Sequence, residues 1–236
     1  MKHAVLLGQM RSGSTFLYEA IRNHPDVFGT KGECKELFLP EYSPYMQKQL
    51  NEYGALKRFH AEAEASLKPV SLFKMTYVQV NTNLWTKIVK RCPYRIHTYR
   101  ENCLETAFSA WMNPSIADLM PPHVTERVEA KTTEVDPQRF VRLAKHFYEQ
   151  KEFWKGQPDM LHVSYEEVHS GKVETKCVSP EVTFKICSRL GIEPMLLCGE
   201  SRRVNHLPLE ESIDNWTEVR ALAEQRGLYD LLEGDA

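Results

Sequence analysis

The sequence lacks a long apolar run. No stretch approaches the roughly 18 consecutive apolar residues that a membrane-spanning helix needs. Met1-Lys2-His3 precedes only a few apolar residues, short of the about 7–15 that make a signal-peptide core. That run therefore reads as a first strand, and the chain as cytoplasmic. Closely spaced cysteine pairs are also missing. Cys34, Cys92, Cys103, Cys177, Cys187 and Cys198 include no C-x-x-C, and scattered thiols without a secretion signal fit a reduced chain. The 9 histidines are dispersed, with no H-E-x-x-H, so no structural zinc is expected. Asn215-Trp216-Thr217 matches a glycosylation acceptor, which without secretion is a chance match. There is no excess of either charge: 30 Lys and Arg stand against 32 Asp and Glu, which argues against a nucleic-acid partner. Neither an internal repeat nor an interdomain linker is evident. A chain of 236 residues with a 42% apolar share fits one large α/β domain, residues 1–236, better than two small ones.

What is present is a regular alternation of strand and helix patterns. Strands are predicted at Ala4 to Gly8, Val27 to Gly29, Val70 to Met75, Tyr94 to Tyr99 and Met160 to Tyr165. Helices are predicted at Ser14 to Asn23, Tyr45 to Leu67, Thr82 to Lys90, from Asn102 up to Pro114, Pro137 to Trp154 and Pro180 to Leu190. Two more are predicted at Leu209 to Asp214 and Trp216 to Leu232. Such alternation implies a mostly parallel central sheet flanked by helices on both faces. The polar stretch from Asn113 to Asp136, with Pro121-Pro122, reads as an insertion that could cover an acceptor.

Gly8-Gln9-Met10-Arg11-Ser12-Gly13-Ser14-Thr15 lies between the first strand and the first helix. Its spacing nearly satisfies the phosphate-binding loop of nucleoside triphosphatases, but Ser14 stands where that motif has lysine. Arg11 supplies a cation inside the loop instead. Backbone N–H groups at a helix N-terminus favour an anion, and Ser12, Ser14 and Thr15 add hydroxyls. No apolar strand ends cleanly in the aspartate that would hold magnesium. The expected ligand is a nucleotide without a transferable γ-phosphate.

Four further groups carry possible chemistry. Arg100 at a strand tip and Ser109 two turns into the next helix could clasp a second phosphate. Glu33 and Glu36 follow the first helix, where a base for an alcohol proton could sit. Lys74 ends a strand, at the edge where open α/β sheets bind ligands. Arg202 and Arg203 form part of the densest short basic element, Ser201 to His206. Each of these, taken alone, also fits a solvated surface.

Together they resemble the sulfotransferases that use 3′-phosphoadenosine 5′-phosphosulfate (PAPS). Arg11-Ser12-Gly13-Ser14-Thr15 is similar to their 5′-phosphosulfate loop, in the arginine form of carbohydrate and bacterial members. His24-Pro25-Asp26-Val27-Phe28 resembles the segment after their first helix, and Arg100 with Ser109 the pair that holds the 3′-phosphate. Ser164-Tyr165-Glu166-Glu167, Arg189-Leu190-Gly191-Ile192 and Arg202 to Trp216 look like later elements of the same family. The resemblance implies a three-layer P-loop-like fold, PAPS as donor, no metal, and a small-molecule or glycan acceptor bearing a hydroxyl. It implies donor contacts from the loop, Arg100, Ser109, Tyr165, Arg202 and Arg203; Lys74, by its strand-end position, is the candidate to stabilise charge on the leaving phosphate. Gly32 to Phe38 is similar to the bacterial trehalose sulfotransferase type, which makes Glu36 the base and leaves Glu33 to the acceptor. The spacing in Golgi carbohydrate enzymes favours Glu33 instead. A P-loop kinase and an inactive nucleotide-binding module are the alternatives.

Overall fold

The computed structural model describes residues 1–9, 11–29, 52–80, 82–112, 132–169, 176–199 and 207–234. Five strands, β1 (Lys2–Gly8), β2 (Val27–Gly29), β3 (Val70–Thr76), β4 (Tyr94–Tyr99) and β5 (Met160–Ser164), form one sheet in the order β2-β3-β1-β4-β5. Every pairing is parallel. β1 is central because Ala4, Val5, Leu6 and Leu7 are all fully buried, which only a strand covered on both faces permits. The order reverses at β1, so the crevice outside its carboxyl end, between β3 and β4, is where such a sheet binds ligands.

The even-numbered residues of β1 and β3 face one helical layer. There Ala4, Leu6, Val70 and Leu72 pack with α1 (Ser14–Arg22) and α7 (Pro180–Leu190). The odd-numbered Val5, Leu7, Phe73 and Met75 face α2 (Glu52–Ala65) and α3 (Thr82–Arg91), with Trp154 of α5 (Pro137–Lys155). This is the three-layer α/β arrangement that the alternation predicts. A third apolar cluster joins α4 (Cys103–Trp111) and α5 to α8 (Leu209–Ser212), α9 (Trp216–Gln225) and α10 (Tyr229–Glu233). No helix among the described residues is long and apolar enough to cross a membrane.

Local chemistry sets the helix boundaries. Asp136 accepts a hydrogen bond from the Arg139 N–H at 2.9 Å and Pro137 occupies the first turn of α5. Gly191 ends α7 in the left-handed region at φ 60°. Asn102 caps α4 through the Glu105 N–H at 2.9 Å. Asn102 and Glu105 have the spacing of a capping box, but only half of it forms, because the Glu105 carboxylate pairs with Arg100. The helix expected from Trp216 to Leu232 is interrupted: Gly227, at φ 63°, separates α9 from α10. The strand expected to reach Tyr165 stops at Ser164, and α6 (Tyr165–His169) begins there. Residues 45–51 and 113–131, where a helix start and the insertion are expected, lie outside the described residues.

One expectation about cysteine fails. Cys177 and Cys198, 21 positions apart, form a disulfide across an isolated antiparallel bridge with Cα atoms 3.9 Å apart. Hydrogen bonds from Val178 N to Leu197 O (2.8 Å) and from Gly199 N to Lys176 O (2.9 Å) flank it. Sequence spacing cannot reveal this pairing, because it depends on α7 folding between the two thiols. Cys92, Cys103 and Cys187 are free and buried.

Candidate active site

The loop after β1 is built to leave a helix N-terminus open. Gly13 is the N-cap of α1, at φ 69°, and offers no side chain to its first N–H groups. A Cβ there would also lie 2.7 Å from the Tyr165 ring, so glycine is required for space as well as conformation. A Cβ on Gly8 would meet the Ser14 Cβ at 2.4 Å. Arg11 too is left-handed, at φ 63°. The loop is closed from within: the Ser12 hydroxyl donates to the Gln9 carbonyl at 2.7 Å, and Ser12 is buried.

Six of the expected site residues engage one another directly, in three pairs. Arg11 Nε donates to Ser109 Oγ at 3.0 Å, which joins the loop to α4. Lys74, itself buried, donates from Nζ to Thr15 Oγ1 at 2.7 Å. Arg100, also buried, pairs with Glu105 at 3.1 Å. Its guanidinium lies over the Tyr165 ring, 4.2 Å from the centroid, a cation–π contact. Arg100 Nε is buried and has no hydrogen-bond partner among the described residues. Burial, and then the charge of Arg100, hold the Arg11 guanidinium below the ordinary arginine value. Arg11 keeps solvent access, so it remains charged. Two guanidinium groups that repel each other beside an open helix N-terminus make a site that an anion relieves.

Gln9 is the residue that sequence reasoning missed. It is fully buried. Its Nε2 donates to Phe147 O in α5 at 2.9 Å, and its Oε1 accepts from the Arg100 N–H at 3.2 Å. It therefore sets the distance between the loop and the tip of β4. The signal was a lone amide directly after an apolar strand, where water cannot satisfy it. A second unexpected feature lies behind Arg100. The Glu101 N–H donates to Glu166 at 3.2 Å, while the Glu101 carboxylate pairs with Lys151 at 3.0 Å and Lys155 at 3.5 Å. Burial raises the Glu166 pKa. Glu33, Glu36, Arg202 and Arg203 lie outside the described residues.

A sulfotransferase from Alicyclobacillus acidocaldarius superimposes on all of this chain, and on 97% of its own length, with a TM-score of 0.56 at 15% identity. The chain has the sulfotransferase fold. Two other sulfotransferase structures are similar at lower scores. One is the sulfotransferase domain from the curacin biosynthetic pathway, with TM-score 0.48, 13% identity, and 81% of this chain and 74% of that one covered. The other is a mouse sulfotransferase complexed with PAP, with TM-score 0.47, 18% identity, and 81% and 59% covered. No family sequence profile matches the chain, and no curated protein matches it. The likeness is thus one of backbone.

Proposed function

We propose that residues 1–236 form a single sulfotransferase domain that moves the sulfuryl group of PAPS to a hydroxyl of a carbohydrate or glycolipid acceptor. The observation that carries this reading is the Lys74–Thr15 hydrogen bond of 2.7 Å. Thr15 occupies the position at which a nucleoside triphosphatase loop offers its hydroxyl to magnesium. A lysine ammonium on that oxygen repels a divalent cation and suits a donor whose leaving group is a phosphate. The same contact disfavours the kinase alternative.

In this reading the loop N–H groups and Arg11 hold the 5′-phosphosulfate. Arg100 and Ser109 face the 3′-phosphate, with Tyr165 beneath Arg100, and Arg202 and Arg203 cover the nucleotide. The acceptor oxygen forms a bond to sulfur as the bond from sulfur to the 5′-phosphate oxygen breaks. The hydroxyl proton passes to Glu36, with Glu33 on the acceptor, and Lys74 and Arg11 neutralise the charge that builds on the departing phosphate. No metal enters this scheme.

Calorimetry tests the donor class. 3′-Phosphoadenosine 5′-phosphate is expected to bind without magnesium, and ATP with magnesium to bind far more weakly or not at all. Tight binding of ATP with magnesium and none of the bisphosphate would replace this reading with the kinase. Binding of the bisphosphate without turnover across a glycan panel, with Glu36→Gln no different from the parent, would leave the inactive module.

A further inference from the structure

β1 and β4 part where the loop begins, and one side chain spans the gap. Their parallel ladder pairs Ala4 with Tyr94 through to Gly8 with Thr98. Past Gly8, the Gln9 N–H still reaches Thr98 O at 2.9 Å. One step further, the same pattern would carry the Arg100 N–H to the Gln9 carbonyl. That carbonyl is already committed to the loop, where it accepts from the Ser12 N–H at 3.3 Å and from Ser12 Oγ at 2.7 Å. The Arg100 N–H turns instead to the Gln9 side chain, whose Oε1 accepts it at 3.2 Å. A side-chain amide thus takes over the ladder bond that the turn into the loop removes.

The other end of the amide is fixed as well, since Nε2 donates to Phe147 O in α5 at 2.9 Å. A backbone N–H only donates and a backbone carbonyl only accepts, so a single orientation of the amide satisfies both. α5 also holds the residue after Arg100: Lys151, one turn beyond Phe147, donates from Nζ to Glu101 O at 3.2 Å. Gln9 is fully buried, so water cannot replace either of its bonds. We propose that Gln9 is a positioning residue that holds Arg100 at a set distance from the loop and so selects a donor whose two anionic groups match that separation. This rests on the reading of the loop as the 5′ site and of Arg100 as part of the 3′ site. A ligand with the 5′ group alone uses only the loop and gains nothing from the spacing. A ligand with both groups loses affinity when the spacing is loose, because binding must then order Arg100.

Gln9→Met keeps the length and bulk of the side chain and removes both hydrogen bonds. In the ligand-free protein, amide hydrogen exchange followed by NMR should show the Arg100 N–H exchanging about tenfold faster, while the His97 N–H in mid-strand is unchanged. Calorimetry then compares 3′-phosphoadenosine 5′-phosphate with adenosine 5′-phosphate, which lacks the 3′ group. The variant should bind the bisphosphate about tenfold more weakly and the monophosphate within about twofold of the parent. In an Arg100→Ala background, Gln9→Met should cost the bisphosphate nothing more, because the residue acts through Arg100. Unchanged Arg100 exchange, an equal loss for both ligands, or an undiminished loss in the Arg100→Ala background would each overturn the proposal. A parent that binds the bisphosphate no better than the monophosphate would overturn the donor reading instead, and Arg100 exchange would still decide the role of Gln9.

Discussion

On the face of the sheet covered by α1 and α7, the buried polar side chains of β3 and the tip of β4 lead outward to the loop: Lys74 to Thr15, Arg100 to Glu105 and the Tyr165 ring. On the opposite face, under α2, α3 and α5, the polar groups lead to one another. The Tyr77 hydroxyl bonds His97 Nε2, and His97 Nδ1 lies 2.9 Å from His162 Nδ1. If Tyr77 donates, His97 carries its proton on Nδ1 and donates to His162, which gives a consistent chain of neutral groups. One face thus keeps cations where a ligand can reach them. The other face holds a chain of neutral groups: burial, then His162 and Lys155, push the His97 pKa down to about 3. The same strand serves both purposes because successive residues of β4 point to opposite faces.

Exchanging the polar groups should break that contrast in opposite ways. Lys74→Met retains length and bulk but removes the charge at Thr15. PAPS turnover is expected to fall by about 10²–10³-fold, the usual cost of deleting one donor at developing charge, while the melting temperature stays near that of the parent. A large loss of folding with little loss of turnover would make Lys74 a structural residue.

The neutral face should respond to pH instead. As pH falls, the unfolded chain protonates His97 first, near its ordinary 6.5, while the native state resists until about 3. Stability is therefore full above the unfolded value and declines below it, by about 2 kcal/mol between about pH 7 and about pH 5 for this residue alone. Urea unfolding at the two pH values measures the decline, and His97→Gln should flatten that part of it. An equal slope in the variant would assign the effect to other groups. The smallest effect expected is that of Ser109→Ala. Arg11 loses one hydrogen bond, and affinity for 3′-phosphoadenosine 5′-phosphate should drop by about 2–12-fold with no change in stability. Calorimetry reads this directly, and an unchanged constant would remove Ser109 from the donor contacts.

Much of this was legible in the residues. The two glycines of the loop announce a turn between strand and helix, and the structure adds why Gly13 admits no other side chain. Lys74 and Arg100 were readable as strand-end cations on the favoured edge. The partners they take were not readable, since Thr15 is 59 positions from Lys74 and only the parallel register of β1 with β3 brings them together. His97 was hidden for a related reason. In Tyr94-Arg95-Ile96-His97-Thr98-Tyr99 the alternation suggests a wetted face, yet residues 95–99 are all buried, because α5 and its neighbours cover the side that composition would leave to water. Tyr165 came from family resemblance rather than pattern. Its physical role is that of the ring that backs both Gly13 and Arg100.

The Cys177–Cys198 bond ties together the two ends of the segment that contains α7. Val182, Ile186, Cys187 and Leu190 of that helix pack in the same cluster as Phe16 and Leu17 of α1, directly behind the open helix N-terminus. A cross-link of this span removes loop-closure freedom from the denatured ensemble, about 3 kcal/mol by the chain-entropy account. The firmness of the wall behind the loop thus depends on the thiol–disulfide balance of the surroundings as well as on apolar packing. In a reducing medium the same contacts would remain, but α7 could detach as a local opening without first unravelling the sheet.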